Sequence, residues 1–108
     1  MPAKVALGEA EHHVLLAAAR LGDRAYTVAI VREIEARTGR APAPAAVYIA
    51  LRRLEGHRLV RSRLVRRADD WRSRRQFEIT ADGRRLLRAS RGRLLRLWEG
   101  LDPLWEER

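Results

Sequence analysis

Cysteine is absent from this sequence of 108 residues. That absence excludes disulfide bonds, zinc–thiolate sites and thiol nucleophiles from any function of the chain. The sequence also has no run of about 18 apolar residues and no hydrophobic N-terminal stretch of the signal-peptide kind. We therefore expect a soluble, cytoplasmic protein.

Residue patterns that mark common enzyme classes are missing as well. There is no HExxH motif, no glycine-rich phosphate loop and no nucleophile with a base at motif spacing. His12 and His13 are adjacent, so on a helix they point about 100° apart and are poorly arranged to share one metal. Asp69 and Asp70 are more simply explained as a charge pair within a basic loop than as a metal site. We expect neither an enzyme nor a bound cofactor or metal.

Positive charge is concentrated in one part of the chain. Residues 52–96 carry 16 arginines against five acidic groups, a net of +11, whereas residues 1–51 carry +1 and residues 97–108 carry −3. The preference for arginine over lysine can come from a GC-rich genome, but the clustering predicts a polyanionic partner. An anionic membrane surface would need a basic amphipathic helix with aromatic residues at its boundary. Here most of the charge lies in the segments that flank a helix predicted within residues 43–60. This arrangement fits DNA better than a membrane surface.

The stretch 43–60 predicts a helix of about three turns followed directly by a strand. One face of that helix is apolar at helical spacing, and consists of Val47, Ala50, Leu51 and Leu54. The other face mixes arginine with an aromatic and an aliphatic residue, and consists of Tyr48, Ile49, Arg52 and Arg53. Such a face suits the major groove, because arginine can bind guanine in a bidentate manner and methyl groups can contact the thymine methyl. The alternative is a surface helix with an incidental tyrosine.

The order of the predicted elements indicates a fold. A first helix begins near Glu9 and ends at Gly22, and its predicted buried residues are Val14, Leu15, Ala18 and Leu21. A second helix, with Thr27 as its N-cap, ends at Thr38-Gly39, and its apolar set is Val28, Ile30, Val31 and Ile34. After the third helix, alternating stretches at 59–65 and 76–80 predict two strands joined by a basic loop. Three helices and a hairpin are the layout of a winged helix.

The last predicted helix, capped by Thr80 or Asp82, carries two apolar stripes. The first follows heptad-like steps through Leu87, Leu94, Trp98, Leu101 and Trp105. The second contains Leu86, Leu97 and Leu104. One stripe should face its own core and the other a second subunit, and we predict that the first stripe is the dimer interface. Asp102-Pro103 should kink or end the helix near Leu101. We thus predict a homodimer of mostly α (α+β) chains, with a winged helix-turn-helix DNA-binding domain at 1–80 and a long dimerisation helix at 81–108.

Over about residues 7–91 the chain resembles the PadR-like winged-helix transcriptional regulators. The resemblance rests on HHVLLAAARLGDRAYTVAIVREIEARTG, on VYIALRRLEGHRLV with its Tyr-x-x-Leu-x-Arg-Leu-Glu pattern, and on RRQFEITADGRRLLR. The chain is similar to the short subfamily, which lacks a separate C-terminal dimerisation domain. It departs from the pattern at Ala43 and Ala45, at Arg58 in place of a turn glycine, and at the wing tip with Asp69, Asp70 and Trp71.

The resemblance implies that the third helix enters the major groove and that the wing reaches the DNA backbone or the minor groove. Carried onto this sequence, the base-facing residues are Ala45, Ala46, Ile49 and Arg52, and the phosphate or groove contacts are Tyr48 and Arg53. The wing contacts are Arg72, Arg74 and Arg75, each of which could instead be a solvated loop charge. Two-fold symmetry implies a palindromic operator.

In small members of that family, planar drugs can stack on a tryptophan of the last helix within a hydrophobic pore at the dimer interface. Trp98 falls at a comparable place, although ordinary dimer packing is the alternative role. The sequence therefore predicts a homodimeric DNA-binding repressor, with a small hydrophobic or aromatic effector as an additional expectation. The alternative from another class is a winged helix that binds a protein partner without specific DNA binding.

Overall fold

The computed structural model describes residues 6–66 and 73–101. Its elements are α1 (Glu9–Leu21), a 3₁₀ turn (Gly22–Arg24), α2 (Thr27–Thr38), α3 (Pro44–Gly56), β1 (Val60–Arg66), β2 (Ser73–Ile79) and α4 (Ala81–Trp98). The predicted winged helix-turn-helix, mostly α with a two-stranded wing, is confirmed. Within the described ranges, no helix combines the length and the apolar character needed to cross a membrane.

The core lies where α1, α2 and α3 meet the base of the wing. Leu15, Ile30 and Leu51 are fully buried, and Phe77 reaches them from β2. The apolar face predicted for α3 is buried along its whole length. This burial leaves the opposite face of α3 as the outer surface of the domain.

The boundaries of α2 and α3 follow from local backbone chemistry. Gly39 adopts a left-handed conformation (φ 80°) that ends α2, as glycine commonly does after a helix. Pro44 occupies the first turn of α3, where its missing N–H leaves no bond unmade. The predicted cap of α2 is wrong, because Tyr26 precedes the helix and Thr27 is already its first residue.

The apolar set predicted for α2 is also partly wrong. Val28 is 57% exposed, whereas Ile30 and Ile34 are buried. The two isoleucines are one helical turn apart, and Val28 lies two residues before Ile30, which places it on nearly the opposite side of the helix. Helical phase, rather than side-chain hydrophobicity, decides which residue enters the core.

The wing is an antiparallel pair in which Val60 lies opposite Ile79 and Ser62 opposite Phe77. Phe77 and Ile79 are buried, as predicted. The second strand begins at Ser73 rather than at Gln76, because three polar residues continue the ladder although they show no apolar alternation. The tip of the predicted loop, including Asp69, Asp70 and Trp71, lies outside the described residues.

Thr80 joins the wing to α4. Its Oγ1 accepts a hydrogen bond from the Gly83 backbone N–H at 3.0 Å and donates to the Arg58 carbonyl at 2.7 Å. Arg58 itself is left-handed (φ 61°), in a turn where glycine would be unstrained. Of the two caps predicted for α4, Thr80 is therefore the one used.

The first half of α4 packs on its own domain. Leu86 and Leu87 are half-buried against the core, and the helix then crosses α1 where Ser90 Oγ lies 3.3 Å from His12 Nε2. Beyond this crossing, five large apolar side chains are between 39% and 73% exposed, namely Leu94, Leu95, Leu97, Trp98 and Leu101.

The predicted division of α4 into one inward and one outward stripe is therefore wrong. Leu86 and Leu97 belong to the same predicted stripe, but Leu86 is half-buried and Leu97 is 73% exposed. The division runs along the helix instead, because the domain ends before the helix does. The helix itself ends at Trp98, three residues earlier than expected, while Leu104 and Trp105 fall beyond the described part of the chain.

Candidate nucleic-acid interface

The outer face of α3 is a continuous exposed surface. It presents small residues at the start of the helix and large ones farther along, and consists of Ala45, Ala46, Tyr48, Ile49, Arg52 and Arg53. Ile49 is 61% exposed and Tyr48 is 40% exposed. An exposed isoleucine beside an exposed tyrosine and two arginines has no packing role within the domain. The predicted division of α3 into a buried and an exposed face is therefore present.

The Tyr48 side chain packs against a core residue. Its ring packs edge-on against buried Phe77, with centroids 6.4 Å apart and planes at 76°, a favourable aromatic geometry. Arg52 follows one turn later, and its Nη1 donates to the Tyr48 hydroxyl at 3.4 Å. The Arg52 guanidinium carbon is 6.0 Å from the Tyr48 ring centroid. The ring is thus fixed by the core while its hydroxyl stays at the surface.

A chain of polar contacts continues from Arg52 to the wing. Arg52 Nε is 3.7 Å from Glu55 Oε1, an i,i+3 pair on α3. The Ser62 hydroxyl on β1 donates to Glu55 Oε2 at 2.5 Å, and Arg75 Nη1 on β2 donates to the Ser62 oxygen at 2.9 Å. Four side chains from three elements therefore form one network.

Arg53 belongs to a different set of contacts. Its Nε is 3.3 Å from Glu11 Oε2 on α1. Glu11 also accepts from the Gly8 backbone N–H at 3.2 Å and so completes the N-terminal cap of α1. The Arg53 side chain remains 68% exposed. The two adjacent arginines of α3 are consequently held by different elements.

The predicted wing arginines do not form one cluster. Residues alternate between the two faces of a strand, so Arg75 shares the inner face with Phe77, and Arg74 lies on the other face with Gln76 and Glu78. Arg74 is exposed. Arg75 is half-buried and donates a hydrogen bond to Ser62. Arg72 lies outside the described residues.

Sequence reasoning did not single out Glu55 or Ser62 as site residues. The spacing of three between Arg52 and Glu55 could have revealed their ion pair, because i,i+3 residues are neighbours on a helix. Ser62 could not have been found, because its contact with Arg75 depends on the register of β1 against β2. Arg61, which pairs with Glu78 at 2.7 Å, and exposed Arg63 add further positive charge to the outer face of the wing.

The residues predicted to form a dimer interface divide in two. Leu94 and Trp98 on the distal half of α4 and Leu101 in the turn after it are exposed, whereas Leu87 packs against the core of its own domain. Trp105 is not among the described residues. A groove of about 600 Å³ lies between α1 and α2, with Leu16, Ala17 and Ile34 among the residues that line it.

Among the residues that the structure describes, no three histidine or acidic side chains are grouped so that they could hold a metal ion. The polar groups of the interface are instead arginines, a tyrosine hydroxyl and the carboxylates that pair with those arginines. Groups of this kind suit contacts with phosphates and base edges.

Comparison with known proteins points to the same kind of surface. The model of the transcriptional regulator PadR-like family matches residues 15–89. No match to a curated protein was found.

Solved structures share the fold. A PadR family transcription regulator from Clostridium difficile R20291 superposes with a TM-score of 0.76 at 15% identity, covering 92% of this chain and 100% of that one. A PadR family transcriptional regulator from Eggerthella lenta DSM 2243 gives 0.68 at 27% identity, covering 88% and 82%.

A structure with a lower TM-score is BpsR of Bordetella bronchiseptica, with a TM-score of 0.57 at 23% identity, covering 91% of this chain and 70% of that one.

Since the family model covers well over half of the sequence, the chain belongs to the PadR-like family of transcriptional regulators, which are DNA-binding proteins and not enzymes.

Proposed function

We propose that this protein binds a palindromic operator as a homodimer and represses transcription from it. The observation that carries the proposal is the outer face of α3, which exposes Ile49, Tyr48 and two arginines on one surface of the domain. The face adjoins a wing rich in arginine, so one surface offers both base-reading and phosphate-binding groups. The protein would act in the cytoplasm, on the nucleoid.

Each part of this surface has a proposed role. Residues that enter the major groove and face the bases are Ala45, Ala46, Ile49 and Arg52. Residues that contact phosphates from α3 are Tyr48 and Arg53, and those from the wing are Arg72, Arg74 and Arg75. Phosphate contacts fix the register of the protein on the duplex, while the few base-facing side chains select the sequence. Because Arg74 and Arg75 lie on opposite faces of β2, they would reach different phosphates.

The dimer would be held by the distal half of α4. Its exposed leucines and Trp98 form the kind of contiguous apolar surface that soluble monomers avoid. We propose that this half of the helix packs against α1 of the partner, where Leu16 is 49% exposed beside the groove between α1 and α2. Trp98 would lie near the two-fold axis. Residues 1–80 would then bind DNA, and 81–108 would set the distance between the two α3 helices.

We propose in addition that a flat hydrophobic effector can bind beside Trp98, which is 41% exposed. The BpsR structure is described as showing a mechanism by which 6-hydroxynicotinic acid regulates DNA binding, so a small aromatic effector has a precedent in a protein of similar fold. Such an effector could regulate only by binding two dimer geometries unequally. Tryptophan fluorescence titrated with planar aromatic compounds, with and without operator DNA, would test this part separately.

Operator selection from random duplexes, followed by measurement of two variants, tests the main proposal. Arg52→Ala should weaken binding to the selected site by about 1–3 kcal/mol and relax the preference at one base pair. Tyr48→Phe should weaken all sequences alike, because it removes a phosphate contact. If no sequence is enriched, the rival function, a winged helix that binds a protein partner, is supported instead.

A further inference from the structure

We propose that Glu55 is a positioning residue that holds the DNA-binding arginines of α3 and of the wing in one arrangement. The inference rests on the proposed function, and it assigns to an acidic residue a favourable role in binding a polyanion. Glu55 would not contact DNA itself. It would act through Arg52 on its own helix and, by way of Ser62, through Arg75 on the wing.

Glu55 connects the arginine of α3 to the part of the network that lies on the wing. One carboxylate oxygen is 3.7 Å from Arg52 Nε, and the other accepts from Ser62 Oγ at 2.5 Å. Ser62 uses its hydroxyl proton for Glu55, so its oxygen is free to accept from Arg75 Nη1 at 2.9 Å. Because the Glu55 carboxylate can only accept, Ser62 must donate to it, and Arg75 must then donate to Ser62.

The network joins α3 to both strands of the wing through polar side chains. Arg52 and Glu55 belong to α3, whereas Ser62 and Arg75 lie diagonally opposite on β1 and β2. A protein that contacts one operator with a helix and a wing gains affinity when both are already oriented, because less side-chain freedom is lost on binding. Glu55 supplies that orientation for one arginine on each element.

Simple electrostatics predicts the opposite effect of Glu55. A carboxylate near the DNA surface repels phosphates, so its removal should tighten binding and raise the number of counterions released. The positioning role predicts weaker and less specific binding after the same change. The two accounts therefore differ in the sign of one measurement.

A role in folding stability alone is a poor explanation of the network. The side chains of Arg52 and Glu55 are 50% and 28% exposed, and ion pairs this open to solvent contribute little to stability. Glu55→Gln keeps the shape of the side chain and an oxygen that can accept from Ser62. We therefore expect the variant to fold with nearly the thermal midpoint of the parent protein.

The experiment compares Glu55→Gln with Glu78→Gln in the chain of 108 residues. Glu78 also pairs with an arginine, Arg61, but on the outer face of the wing, away from the network. Both variants lose one negative charge. Glu55→Gln should weaken binding to the selected operator by roughly 5- to 150-fold, the range expected for one misplaced base-reading arginine, and reduce the ratio of specific to scrambled binding. Glu78→Gln should leave the ratio unchanged.

Ser62→Ala provides a second test without any change of charge. It removes the hydroxyl between Glu55 and Arg75, so it should weaken operator binding about as much as Arg75→Ala does. The double variant should then lose little more than either single variant, because the two residues act as a unit. A double variant whose loss is the sum of the two single losses would overturn the proposed relay.

The outcomes separate the inference from the function on which it rests. If the parent protein selects no operator, the proposed function is overturned, and the positioning role falls with it. If the parent selects an operator and Glu55→Gln binds it as tightly or more tightly, only the positioning role is overturned. Weaker, less selective binding by Glu55→Gln but not by Glu78→Gln supports both.

Discussion

At the scale of single residues, both arginines on the outer face of α3 already have carboxylate partners. Arg52 pairs with Glu55 and Arg53 with Glu11. A base or phosphate that binds either guanidinium must compete with that carboxylate, so part of the gain on binding DNA is offset. For Arg52 we expect pre-orientation by Glu55 to outweigh this offset, so that both the affinity and the specificity of operator binding depend on the pair.

His12 gives the molecule a dependence on pH at the crossing of α1 and α4. Burial there, assisted by the nearby charges of His13 and Arg93, lowers the pKa of His12 below its ordinary value of 6.5. The unfolded chain therefore takes up the proton first as pH falls. Stability is unaffected above pH 6.5 and falls as the pH drops from 6.5 toward the folded-state pKa.

Thermal unfolding at about pH 7.5 and about pH 5.5 tests this linkage. Between about pH 7.5 and about pH 5.5, the midpoint temperature of unfolding should fall more for the parent protein than for His12→Gln. His57→Gln is the control, because His57 is exposed at the end of α3 and far along the chain from the α1–α4 crossing. Equal losses for the parent and His12→Gln would show that His12 does not couple to folding.

At the scale of elements, the junction between the wing and α4 depends on Gly83. A Cβ at this position would overlap the Leu59 carbonyl oxygen and lie 2.7 Å from Ile79 Cγ1. Gly83→Ala should destabilise the fold by about 1–3 kcal/mol, as overpacking of a tight site does. Chemical denaturation measures this difference.

Gly92 is the matched control on the same helix. A Cβ there would meet only the Arg96 side chain, at 3.6 Å, so Gly92→Ala should stabilise the protein by up to about 1 kcal/mol through helix propensity. The same substitution is thus expected to have opposite signs at two positions of α4. Destabilisation at both would mean that α4 packs differently from the structure described above.

The elements differ in how far the sequence could predict them. The face of α3 and the inward residues of β2 follow from spacing alone, because one side of each is strongly apolar. The close approach at Gly83 could not be predicted, since it depends on how α4 meets the strand before it. The exposure of Val28 could have been derived from helical phase, given the two isoleucines that follow it.

The residues of the candidate site could be predicted from the sequence, but the contacts between their side chains could not. Tyr48 and the α3 arginines are visible as residues that an apolar helix face does not require. Their contacts with Glu11, Glu55 and Ser62 depend on the fold, because each contact joins residues whose relative placement is set by packing or strand register. The wing arginines could be counted from the sequence, but their two faces follow only from the pairing of β1 with β2.

At the scale of the whole molecule, dimer formation should depend on the exposed half of α4. Replacing Leu94 and Leu101 with glutamate places charge in the proposed apolar interface, where its desolvation is unfavourable. The double variant should sediment as a monomer and bind operator DNA far more weakly, although α3 and the wing are unchanged.

Val28→Glu is the control for that variant, because Val28 is an equally exposed apolar residue on α2. It should sediment as the parent protein does. A dimer that survives the glutamates at both Leu94 and Leu101 would place the interface elsewhere and remove the proposed effector site beside Trp98.

The measurement that tests the central claim most directly is the salt dependence of binding to the selected operator and to a scrambled duplex. If the dimer neutralises about six to ten phosphates, affinity should fall by roughly 10³ to 10⁵ between about 50 and 200 mM salt. The operator should remain the tighter ligand at every salt concentration, since base contacts add to the phosphate contacts. A plot of log K against log salt with a slope near zero, or identical binding to both duplexes, would contradict a DNA-reading role for α3 and the wing.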